Sequence, residues 1–103
     1  MTVIIVTTTV GSEEDAEALA SALVEARLAA CVQMSDIKSC YRWEELKCER
    51  EVRLELKTAP DRKDVLLDEL SARHPYDEPE ILVTEAAASG GYADWVKKET
   101  RPS

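Results

Sequence analysis

The sequence predicts an α+β domain of the ferredoxin-like kind, a βαββαβ sandwich with an extended β-hairpin in its middle and a short C-terminal helix. Three features lead there: a β-branched run at the start, two apolar stripes at helical spacing, and one long β-rich stretch lying between them. The 103 residues form a single domain, residues 1–103, since either half alone would bury too little apolar surface to fold.

Residues 2–9, TVIIVTTT, are β-branched almost throughout and suit a pleated strand. Val3, Ile4, Ile5 and Val6 do not alternate with polar residues, so both faces of this strand are expected to be covered. Gly11 and Ser12 break the run. Ser12 with Asp15 resembles a capping box, and Glu13, Glu14 and Asp15 suit the positive end of a helix. Ala16, Leu19, Ala20, Leu23 and Ala26 give that helix its apolar stripe, which fades near Ala29.

The stretch from Cys31 to Leu56 reads as two long strands. Thr58-Ala59-Pro60-Asp61 closes the second, and Pro60 or Asp61 opens another helix with Val65, Leu66, Leu67 and Leu70 on its apolar side. It stops near Arg73, because Pro75 disfavours helical geometry at His74. Glu80 to Ala88 follows as a strand, Ser89-Gly90-Gly91 as a turn, and Tyr92 to Thr100 as the terminal helix carrying Trp95 and Val96.

An antiparallel sheet with two helices on one face leaves the other face open. Val52, Leu54 and Leu56 alternate with Arg53, Glu55 and Lys57, as a half-solvated strand should. The first strand does not, and a partner subunit is the simplest cover for its second apolar face. The hairpin strands also exceed the usual length of about 5–6 residues. A ribbon reaching past its own domain is an arm for pairing with another subunit; the other reading is a bent or bulged hairpin folded back on itself.

The formal net charge of -8 argues against nucleic acid or an anionic membrane as the partner, since phosphate binding needs clustered Lys and Arg. No apolar run approaches the length of a membrane span, and no signal peptide is expected at the N-terminus. A cytoplasmic location is expected. Three cysteines, Cys31, Cys40 and Cys48, lack CxxC spacing and are expected to be reduced there. A hairpin turning through Trp43 to Glu45 sets Cys40 opposite Cys48, close enough to share a soft cation or form a disulfide, whereas a two-residue turn at Glu44-Glu45 pairs Cys48 with Tyr41.

"VEARLAACVQ" at 24–33, "YRWE" at 41–44, "EVRLELKT" at 51–58, "HPYDEPEI" at 74–81 and "YADWV" at 92–96 together resemble the CutA family of divalent-cation tolerance proteins over nearly the whole chain. The resemblance implies a ferredoxin-like subunit and a homotrimer related in shape to the PII signalling proteins, with a cleft between subunits. It also implies divalent metal binding, most often copper. The chain departs from the family in its hairpin, where Trp43-Glu44 runs into Glu45-Leu46 and not into the common glycine. It also has Thr8 and Glu69 where some members carry cysteines, and only Cys31 matches a family cysteine. A thiolate-rich copper site is therefore disfavoured.

His74, the only histidine, is the leading candidate ligand for Cu2+ or another divalent cation, with Asp77 and Glu80 as oxygen donors and Cys31 as a further candidate. A hydrogen-bonded structural histidine is the alternative. Tyr41, Trp43, Tyr76 and Trp95 are amphipathic aromatics fitted to subunit packing or to a small-molecule pocket. Lys57, at a strand end before a helix, is a candidate anion contact. No nucleophile elbow, phosphate-binding glycine loop or HExxH occurs, so no enzyme is expected. The function expected is a metal-binding homotrimer linked to cation tolerance; the alternative is a PII-like sensor with a metabolite in the intersubunit cleft.

Overall fold

A central strand β1, Thr2–Val10, pairs antiparallel on one side with β3, Glu45–Thr58, and on the other with β4, Leu82–Ala87. Strand β2, Cys31–Trp43, pairs antiparallel with β3 along its whole length, so the sheet order is β2-β3-β1-β4. The computed structural model describes residues 1–102. Helix α1, Glu13–Glu25, joins β1 to β2; helix α2, Lys63–Arg73, joins β3 to β4 after a short 3-10 turn at Pro60–Arg62; helix α3, Gly90–Glu99, closes the chain. This is the expected βαββαβ order with a terminal helix.

Helices α1 and α2 share one face of the sheet. Leu19 and Leu23 of α1 and Leu66 and Leu70 of α2 pack there against Ile4, Val6 and Val10 of β1 and Val52, Leu54 and Leu56 of β3. Ser12 caps α1 as its hydroxyl accepts from the Asp15 amide at 3.1 Å. At the other end Arg27 takes φ 60°, the left-handed conformation that glycine usually supplies. The Leu28 amide then returns to the Leu23 carbonyl and the Arg27 amide to Val24, which satisfies the last carbonyls in a Schellman motif.

The second face of β1 is covered differently from the expectation. Val3 is buried against Ala30 and against Ala93 and Val96 of α3, so the chain's own third helix shelters that end of the strand. Helix α3 does this by starting at Gly90, inside the segment expected to turn. Further along the same face Ile5 and Thr7 are half-buried, and their neighbours on β4, Leu82 and Thr84, are exposed.

The hairpin extends well beyond the sheet. Strand β1 pairs only with Val52–Thr58 of β3, so residues 45–51 and their partners in β2 form a free two-stranded ribbon. Seven residues at about 3.4 Å each carry it some 24 Å past the sheet. Its turn is a single residue, Glu44, at φ 68°. That register sets Cys40 directly opposite Cys48, which settles the pairing left open by the sequence; the two are joined as a disulfide, against the expectation that all three cysteines are reduced.

Candidate functional site

The sole histidine is buried at the point where α2 ends. Pro75 forces His74 out of the helix into extended backbone, ψ 134°, and turns its ring towards the end of β1. Nδ1 accepts from the Tyr76 amide at 3.1 Å, so the ring proton sits on Nε2. Nε2 then donates to the Thr9 carbonyl at 3.0 Å and lies 2.9 Å from the Thr8 hydroxyl. Burial pushes the pKa of the imidazole below its usual range, against the opposing pull of the Thr9 carbonyl. A neutral, doubly hydrogen-bonded ring is the result, and ligating a cation through either nitrogen would break one of these bonds.

The other expected metal ligands are dispersed around the chain. Asp77 and Glu80 are exposed in the irregular connector between α2 and β4, held in place by Pro75 and Pro79. Cys31 begins β2 opposite Lys57, on the sheet face turned away from α1 and α2, whereas His74 bonds Thr8 on the face those helices cover. Among the described residues no three His, Cys, Asp or Glu side chains lie close enough to hold a metal ion. A single chain therefore does not assemble the four candidates into a coordination sphere.

The five candidate pocket residues fall in three places. Lys57 donates to the Gln33 side chain at 2.6 Å and lies 6.0 Å from the centre of the Tyr92 ring. Tyr92 in turn packs on Trp95, ring centres 5.7 Å apart, so Lys57 and Trp95 belong to one patch beneath α3. Lys57 thus points away from the helix that follows it in sequence. Tyr41 and Tyr76 form a second patch through acid partners that sequence reading did not single out: Tyr41 donates to Glu49 and Tyr76 to Glu51, each at 3.1 Å. Burial and the Glu51 carboxylate push the Tyr76 hydroxyl up to about 12. Trp43 stands apart at the hairpin tip, 58% exposed. A hollow of about 260 Å3 beside α1, reaching Arg73 and Pro75, contains none of these five residues.

Thr9, Gln33, Glu49 and Glu51 were missed, and Thr8 was noted only as a position where some family members carry cysteine, because each becomes relevant only through strand register. A polar residue within a strand carries no signal of the loop residue that will reach it.

The chain matches the family described as CutA1 divalent ion tolerance protein over residues 4–99. It is 40% identical over 99 residues to a divalent-cation tolerance protein CutA of Thermus thermophilus, covering 93% of this chain and 96% of the relative. Among solved structures it is similar to CutA of Synechococcus elongatus, with a TM-score of 0.93, 40% identity and coverage of 97% of this chain and 91% of the other. It is also similar to CutA1 of Pyrococcus horikoshii, with a TM-score of 0.92, 32% identity and coverage of 95% and 98%.

Proposed function

Because the chain belongs to the CutA family of divalent-cation tolerance proteins, we propose that it acts in divalent-cation tolerance as a homotrimer that binds copper. The observation that carries this reading is the family match along almost the whole domain. Two features of the chain support self-association. The ribbon beyond β1 has both backbone edges unpaired, a condition in which an isolated hairpin is barely stable. The sheet face beside α3 also leaves Leu82 57% exposed.

For the cation, the exposed oxygen donors Asp77 and Glu80 are the accessible ligands, and the net charge of -8 draws cations towards the surface. His74 would join them only by giving up its bond to Tyr76 or Thr9, and Cys31 only from the other face or from another copy. Modest affinity is the consequence. The test is calorimetric titration of Cu2+ into the protein and into an Asp77→Asn/Glu80→Gln double variant. Binding should weaken by roughly tenfold, the scale of about 1.4 kcal/mol. Identical isotherms would remove the connector from the site, and a folded His74→Ala variant reports separately on the ring.

A further inference from the structure

We propose that Cys40 and Cys48 form a redox-gated site for a soft monovalent cation such as Cu(I), distinct from the divalent-cation function and located on the free ribbon. The two cysteines are direct cross-strand partners with Cα atoms 4.1 Å apart, and both are exposed. Reduction adds two electrons and two protons from a dithiol reductant, which is itself oxidised to a disulfide. Two thiols then face the same side of the ribbon at a separation fixed by strand pairing.

The chain's other thiol and its imidazole are too far away to join the pair. Cys31 lies nine residues back along β2, roughly 30 Å away. His74 docks at Thr8 and Thr9, whose partners Leu54 and Arg53 lie at least five residues from Cys48 along β3, about 17 Å. Zinc, which takes four ligands in structural sites, is poorly served by two. A soft cation content with two thiolates is the better match, and thiolate ligands select Cu(I).

The surroundings favour the same species. On the face shared by the pair, the neighbouring cross-strand positions are Lys38 opposite Arg50 on one side and Arg42 opposite Leu46 on the other. Three cations thus flank two sulfurs in a chain that is acidic as a whole. Nearby Lys and Arg favour the thiolate. A Cu(I) bis-thiolate carries one net negative charge, which these cations balance. In forming it, both thiols release their protons and the copper takes both sulfur lone pairs. The disulfide has no such ligands to offer, so the oxidation state of the pair gates the site.

The test is competition of the protein with a chromogenic Cu(I) chelator under anaerobic conditions, before and after reduction with a phosphine. Thiol titration should rise from one to three per chain on reduction. The reduced protein should then withdraw one Cu(I) per chain at least tenfold more tightly than the oxidised protein. Cys48→Ser should bind as weakly as the oxidised form, while Ser39→Ala, on the opposite face of the ribbon, should bind as the reduced wild type does. Equal binding by oxidised and reduced protein, or full binding by a Cys40→Ser/Cys48→Ser variant, would overturn the proposal. The first comparison uses unmutated protein, so a variant that fails to fold does not spare the idea.

Discussion

His74 carries the clearest consequence at the scale of a single residue. The residue is 8% exposed, and its neutral ring is bonded at both nitrogens. Replacing it with alanine leaves the Tyr76 amide without its acceptor and opens a void, a change worth about 1–3 kcal/mol. Burial lowers its pKa in the folded state, so the unfolded chain binds the proton more readily. Its contribution is therefore fully present above the unfolded value of 6.5 and is lost as pH falls from there through the lowered folded value. Urea denaturation at pH 7.5 and pH 5 should show the wild type losing more stability on acidification than a His74→Gln variant. Equal losses would mean that the ring does not titrate with unfolding. The imidazole and its prolines were legible in the sequence, but its partners were not: Thr8 and Thr9 are more than sixty positions away, and only strand register and the end of α2 bring them to the ring.

Among the elements, the hairpin shows both what patterning reveals and where it stops. Alternation of Val52, Leu54 and Leu56 with charged residues correctly marked the inner half of β3 as covered on one face. The outer half has no such alternation because nothing in the chain covers either face, and there register came down to the turn. A one-residue turn at Glu44 fixes it, at the cost of holding a side chain at φ 68°. Left-handed geometry costs a non-glycine residue roughly 1–2 kcal/mol, offset in part by the lower freedom of its unfolded state. Glu44→Gly should accordingly be neutral or stabilising by up to about 1 kcal/mol, and the β-branched Glu44→Val destabilising; thermal melts of both variants check this. A stabilised valine variant would show that the tip takes another conformation. Helix α3 teaches a related lesson. Ser89-Gly90-Gly91 reads locally as a turn, yet burial of Ala93 and Val96 against Val3 draws the two glycines into the first turn of the helix.

At the scale of the whole molecule, the chain is elongated, 44 × 25 × 20 Å, because the ribbon projects from an otherwise layered domain. The sequence argument for a partner rested on two apolar faces of β1 and on the length of the hairpin, and α3 accounts for part of the first need by covering Val3. Among the side chains still uncovered are Leu82 on the edge strand, Met34 on β2, and Trp43 and Leu46 at the hairpin tip, all more than 40% exposed. Burying such side chains is worth about 25 cal/mol per Å2 of apolar surface. A closed ring of three also pairs every copy's exposed patches equally and leaves no open end for further growth. Multi-angle light scattering at low micromolar concentration tests this most directly. The account predicts a mass near three chains of 11.5 kDa each, unchanged on dilution; a folded species of 11.5 kDa would contradict it.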